Sequence, residues 1–181
     1  MTRTVIFDTE TTGLLMPSSV PLEKQPRIIE LGLIVVEDRV KVAEYNWLIN
    51  PECQITPEIT KITGITNEDL KDKPLFRELL GEIEEAFGVA DYGFAHNAPF
   101  DLGMLKNELA RCGRTGFPFP KEMICTVQEY HHLFGKRPKL TALYELIIGR
   151  PLAQTHRALD DAMAVFEILE KENIFMQLET K

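Results

Sequence analysis

The sequence predicts an α/β fold: a mixed five-stranded sheet flanked by helices. Three observations point to it. Short runs dense in β-branched and aromatic residues, bounded by turn residues, mark strands. From Pro74 onward, apolar residues recur at helical spacing. The order also matters, because strands come first and then alternate with helices.

Taken in order, Thr4–Phe7 reads as a short buried strand ended by a polar, glycine-containing turn. A proline-bearing loop follows from Leu15 to Pro26. Arg27–Val36 and Val40–Ile49 form two strands, and the polar turn near Glu37-Asp38-Arg39 makes them a hairpin. Prolines, Gly64 and repeated threonines between Asn50 and Lys73 predict short helical turns in a surface connection. Leu75, Leu79, Ile83 and Phe87 then recur every four residues along one helix face. Asp91–Ala95 is a fourth strand. Pro99 opens a helix with Leu102, Leu105 and Leu109 on its apolar stripe, ending at Gly113. Met123–Thr126 is the last strand, and helices are expected over Val127–Phe134, Leu140–Ile148 and Ala158–Lys171.

The chain has 181 residues, suited to a single domain, and 44% are apolar, enough for a sizeable core. A formal net charge of −8 excludes a highly basic nucleic-acid coating protein, though not a nucleic-acid substrate reached through bound cations. Apolar stretches such as Leu33–Val36 are far too short to span a bilayer, so no membrane association is expected. Met1-Thr2-Arg3 runs directly into Val5-Ile6-Phe7 without signal-peptide architecture. Three cysteines without C-x-x-C spacing indicate neither a disulfide framework nor a zinc site, and a cytoplasmic location is expected.

Three segments carry the chemistry. In Phe7-Asp8-Thr9-Glu10-Thr11-Thr12-Gly13-Leu14, strand alternation puts Asp8 and Glu10 on one face. Two carboxylates at the end of a buried strand repel one another and need a cation, and hard oxygen ligands suit Mg²⁺ or Mn²⁺. In His96-Asn97-Ala98-Pro99-Phe100-Asp101, a strand hands over to a helix. Asp101 falls in the first helical turn, where a carboxylate is favoured anyway. Phe100 can pack inward or stack on a base, and His96 fits a buried supporting role. In Thr155-His156-Arg157-Ala158-Leu159-Asp160-Asp161-Ala162, helical periodicity separates the adjacent aspartates. Asp161 shares a stripe with Ala158, Val165 and Ile168 and faces the protein, whereas Asp160 lies on a solvated stripe. His156 precedes the helix in loop-like chain. Singly these signals are weak; together, at strand ends and helix starts, they describe a site.

The same residues resemble the DEDD 3′–5′ exonucleases, in the histidine branch that includes the epsilon subunits of bacterial DNA polymerase III and ribonuclease T. The resemblance covers roughly residues 4–172 and so implies a single exonuclease domain with a ribonuclease-H-like fold. D-T-E-T-T-G-L supplies Asp8 and Glu10, H-N-A-P-F-D supplies Asp101, and His156 with Asp161 fits H-x-A-x-x-D-A. Arg27-Ile28-Ile29-Glu30-Leu31-Gly32 and Gly64-Ile65-Thr66-Asn67 also look familial. Thr63 stands where many relatives have histidine, and Cys125-Thr126 replaces Asp-Thr of epsilon-like sequences.

The resemblance implies hydrolysis assisted by two divalent ions, Mg²⁺ or Mn²⁺, with Asp8, Glu10, Asp101 and Asp161 as ligands and His156 as general base. It further implies a single-stranded DNA or RNA 3′ end as substrate, DNA being favoured, with nucleoside 5′-monophosphates as products and a DNA polymerase as partner. Thr11 and Leu14 would line the terminal-nucleotide pocket, Ile65 would wedge between the last two bases, and Phe100 would stack. The same motifs serve RNA-trimming enzymes. Outside enzymes, the alternative is a catalytically silent, polymerase-associated nucleic-acid-binding domain. One segment stands apart in charge: Leu102–Lys139 carries seven Lys/Arg against three Glu, densest at Lys136-Arg137-Pro138-Lys139. This run is either a solvated surface or a grip on the phosphate backbone.

Overall fold

A computed structural model of the chain describes residues 1–179. Strand β1 (Arg3–Thr11) pairs antiparallel with β2 (Ile28–Glu37), and β2 pairs antiparallel with β3 (Val40–Leu48). The β2–β3 hairpin turns on Asp38 and Arg39, both left-handed at φ 44° and 71°, as a two-residue type I′ turn requires. Two short helices, α1 (Pro57–Thr63) and α2 (Asn67–Lys71), occupy the threonine-rich connection, with Thr56 and Thr66 as their N-caps. Helix α3 (Phe76–Phe87) leads into β4 (Tyr92–Ala95), and α4 (Ala98–Arg111) leads towards β5 (Glu122–Cys125). The chain then forms α5 (Thr126–Glu129), α6 (His131–Phe134), α7 (Leu140–Ile148), α8 (Ala158–Lys171) and α9 (Ile174–Leu178).

The strand order is β3-β2-β1-β4-β5, with β4 parallel to both β1 and β5. This is the mixed, helix-flanked sheet expected. On one face Val5, Phe7 and Leu33 pack against Phe87 of α3 and Met104 and Leu105 of α4. On the other, Ile6, Ile34 and Phe94 meet Tyr144 of α7 and Val165 and Ile168 of α8. Because both faces are covered, β2 is buried from Ile28 to Val36 and reads as a nearly unbroken apolar run. Glu30 is the exception in that run. Among the described residues, no helix is long and apolar enough to cross a membrane.

Three elements differ from expectation by more than a residue or two. Strand β1 continues past Phe7 to Thr11, because its ladder with β2 persists through Asp8↔Gly32, Thr9↔Leu31 and Glu10↔Glu30. Backbone pairing, not side-chain apolarity, sustains those residues as strand. The helix expected over Val127–Phe134 is two short ones, interrupted where buried Tyr130 leaves helical geometry at ψ 6°. Helix α9 was not expected, since five residues are too few to display a period. Its Phe175 and Leu178 nevertheless close the core beside α8.

One feature of the sheet creates a cleft. The β1–β4 ladder runs from Thr4↔Tyr92 to Ile6↔Phe94, and β4 ends at Ala95. Beyond that point β1 keeps β2 on one side but has only the entry of α4 on the other. Crevices at the carboxyl ends of parallel strands are where open α/β sheets place ligands.

Candidate active site

The cleft has a volume of about 510 Å³, and Asp8, Glu10, Asp101, His156 and Asp161 all line it. Each arrives by a different local route. Asp8 and Glu10 share a face of β1 as alternate residues. Directly across from Asp8 on β2 sits Gly32. A Cβ there would lie 2.3 Å from the Leu159 nitrogen and 2.4 Å from the Ala158 carbonyl carbon. The absent side chain lets the first turn of α8 rest on the sheet backbone itself, which brings Asp161 over Asp8 and Glu10. Ala158 and Ala162, both fully buried, keep that contact close. As the helical stripe predicts, Asp161 is buried and Asp160 is exposed, its Oδ2 accepting from the Thr155 hydroxyl at 2.6 Å. Gln154 donates to Asp161 Oδ2 at 3.0 Å.

Asp101 comes from the opposite side of the sheet, in the first turn of α4. Its Oδ1 accepts from the backbone nitrogen of Thr9 at 3.1 Å and from the Thr9 hydroxyl at 2.7 Å. His156 sits exposed at the mouth, with a left-handed backbone at φ 51°. A ring nitrogen of His156 and carboxylate oxygens of Glu10 and Asp161 lie within 4.8 Å of one another.

These carboxyls cannot all be ionised without help. Burial, then the charges of Asp101, Asp161, Glu10 and Glu30, holds Asp8 well above the usual carboxylate range. Burial and the neighbouring Asp161, Glu30 and Asp101 push Glu10 up to about 8, against a smaller opposing pull from Arg157. Burial raises Asp101 to about 7 despite the hydrogen bonds from Thr9. Asp161 is also raised by burial, offset in part by Gln154 and His156. An all-oxygen donor set that retains protons near neutrality for want of counter-charge fits divalent hard cations.

Glu30 and Arg157, to which the sequence motifs assign no role, also build the site. Fully buried Glu30 accepts from Arg157 Nε at 3.0–3.1 Å and from its Nη2 at 2.5 Å, and its Oε2 also accepts from the Ala158 backbone nitrogen at 3.0 Å. One carboxylate thereby fixes both the start of α8 and the residue next to His156. An acid inside the apolar run Ile28-Ile29-Glu30-Leu31 was a readable sign of a buried pair.

The remaining assignments divide. Phe100 lines the cleft. His96 is a half-buried support: its Nδ1 lies 2.9 Å from the Thr126 hydroxyl, and the ring hydrogen-bonds the backbone of Pro138. Burial lowers its pKa to about 4, so it is neutral at physiological pH. Thr11 is buried and donates to the Gly13 carbonyl at 2.7 Å, closing the turn after β1, and Leu14 is 80% exposed; both lie outside the lining of the cleft. Ile65 is not brought there. It is buried against Ile29, Ile55 and Leu70, because the Gly64 turn directs it into that satellite core, and it has no free face to wedge between bases.

Comparison with known proteins agrees with this construction. The family model described as Exonuclease matches residues 5–169. The chain is 36% identical over 172 residues to DNA polymerase III subunit epsilon of Rickettsia prowazekii, covering 92% of this chain and 72% of that protein. It is 35% identical over 169 residues to the PolC-type DNA polymerase III of Caldanaerobacter subterraneus subsp. tengcongensis, and spans only 11% of that much longer relative. Among solved structures, it resembles exonuclease X in complex with 5′ overhanging duplex DNA at a TM-score of 0.64 and 26% identity, covering 96% of this chain and 93% of that one. It shares a fold with the nuclease domain of 3′hExo, a DEDDh family member bound to rAMP, at a TM-score of 0.73 and 19% identity, covering 98% and 92%. With its acidic cleft assembled from the ends of β1, α4 and α8 and a match running nearly its whole length, the chain belongs to the exonuclease family.

Proposed function

We propose that the protein is a metal-dependent 3′–5′ exonuclease that removes nucleoside 5′-monophosphates from the 3′ end of single-stranded nucleic acid. The observation that carries this reading is the convergence of Asp8, Glu10, Asp101, Asp161 and His156 on one open cleft. Asp8, Glu10, Asp101 and Asp161 would hold divalent cations, Mg²⁺ or Mn²⁺, which when bound neutralise the phosphate and acidify water for attack.

The chain's own groups do the rest. His156, free of the sheet and next to Glu10 and Asp161, accepts the proton of the attacking water; general-base help of this kind contributes about 10²–10⁴ in rate. Asp101, tethered by Thr9, holds its carboxylate rigid. Phe100 offers a ring to the terminal base. DNA as the favoured substrate and a DNA polymerase as partner are supported by the likeness to the epsilon and PolC-type proteins.

Single-stranded DNA and RNA oligonucleotides, labelled at the 5′ end and incubated with Mg²⁺, Mn²⁺ or chelator, test the reading. A ladder shortening one nucleotide at a time from the 3′ end, abolished by chelator, is expected. Internal cuts, or digestion of a strand blocked at its 3′ end, would overturn it.

A further inference from the structure

The basic run that stood apart in the sequence does not behave as one charge patch. Arg111 pairs with Glu108, Arg114 with Glu84 and Lys121 with Asp91. Among the described residues, Lys136, Arg137 and Lys139 make no ion pair. Arg137 and Lys139 instead line the same cleft as the carboxylates and pair with none of them. Unpaired cations in a cleft raise the local concentration of anions.

The cleft also continues. A second cavity of about 550 Å³ shares Asn97, Val127 and Arg137 with the first. Its further lining includes Pro99, Gln128 and His131, and no carboxylate. The two cavities thus form one path with an acidic end, where cations and the reacting phosphate belong, and an acid-free extension, with Arg137 at the junction. Each lies within the range of about 300–1,000 Å³ typical of small-ligand sites. Gln128 and Asn97 offer amide donors and acceptors, and His131 and Pro99 offer flat faces for a base.

The loop that carries the cations is anchored. Neutral, half-buried His96 hydrogen-bonds the backbone of Pro138 and the Thr126 hydroxyl, tying the loop to the end of β4 and the start of α5. Pro138 itself is buried between its two exposed basic neighbours. The two side chains are therefore presented from a fixed backbone.

We infer that Arg137 and Lys139 form a phosphodiester-backbone subsite that receives the phosphates beyond the penultimate nucleotide, on the 5′ side of the scissile bond, with the strand continuing into the cavity lined by Gln128 and His131. The inference rests on the exonuclease reading and adds the direction in which the strand leaves the site. The ligand is a single strand of at least three or four nucleotides. The cations act on its binding and not on the bond that breaks.

Equilibrium binding of 5′-fluorescein oligothymidylates of two and eight nucleotides, measured by anisotropy, tests this. Asp161→Asn serves as the background throughout, so that the strands survive. Arg137→Gln should weaken binding of the octamer about five- to tenfold, a single charge-assisted contact. Adding Lys139→Gln should weaken it further, and each loss should reduce the salt slope by about 0.7. Dinucleotide affinity should change by less than about twofold. Both positions are exposed, so folding is not at stake. An octamer bound as tightly by the variants as by the background protein, or equal losses for both lengths, would overturn the subsite. A wild-type protein that releases mononucleotides while the variants bind normally removes this inference alone; one that releases none removes the parent reading and this inference with it.

Discussion

Glu30 and Arg157 lie 127 residues apart in sequence, and their bidentate contact is what sets the start of α8 over the carboxylates of β1. Glu30 is fully buried, and the Arg157 side chain is 37% exposed. Glu30→Gln keeps the shape and removes the charge. Breaking a buried pair on one side costs about 3–5 kcal/mol, and the water that Arg157 retains reduces this to about 2–3 kcal/mol. At about 2–4 °C per kcal/mol for a chain of this size, the melting temperature should fall by about 4–12 °C. Scanning calorimetry checks it, and an unchanged melting point would show that the pair is dispensable.

Stability without metal should depend on pH in a defined direction. Folding raises Glu10 from its ordinary value to about 8 and Asp101 to about 7. Between about pH 4 and 8 the folded chain therefore holds more protons at these groups than the unfolded one, and their contribution to stability falls as pH rises through that window. Cations bound to the cluster displace those protons, so the gain in melting temperature from Mg²⁺ or Mn²⁺ should grow from pH 5 to pH 8. Melting curves with chelator and with metal at each pH measure the difference. A gain that shrinks over that range contradicts the assignment of the cluster.

Two adjacent aspartates should behave oppositely. Asp161→Asn removes a buried carboxylate from the cleft and should lower turnover about 10²-fold or more. Asp160→Asn alters an exposed group bonded to Thr155 and should stay within about twofold of wild type. Initial rates on one labelled strand at saturating metal compare them directly. Equal losses would mean that the helical stripe does not separate their roles.

His156 is exposed, so His156→Ala should leave the fold intact while lowering turnover by about 10²–10⁴. Initial rates on one labelled strand at saturating metal, with circular dichroism of both proteins, check it. A folded variant that keeps the wild-type rate would make the histidine structural.

Much of the site was readable because it obeys local periods. Strand alternation pairs Asp8 with Glu10, and the helical stripe separates Asp161 from Asp160. The unread parts depend on partners distant in sequence. Nothing near Glu30 announces Arg157. Charge counting could not distinguish Arg114, which finds Glu84 across 30 residues, from Arg137, which finds no counter-ion among the described residues. Ile65 looked available for a base because only the three-dimensional turn at Gly64 reveals that Ile29, Ile55 and Leu70 enclose it.

The place where β4 stops short has a further consequence. A strand that loses its neighbour exposes main-chain donors that invite pairing with another chain. On β1 the vacated position beside Thr9 is filled by Asp101, whose oxygen takes the backbone hydrogen bond that a neighbouring strand's carbonyl would otherwise take. Asp101 is thus a substitute rung as well as a ligand candidate, a guard against sheet extension stationed inside the reaction chamber. Its truncation would leave an open edge in the molecule, so an Asp101→Ala protein that aggregates says as much about strand pairing as about catalysis.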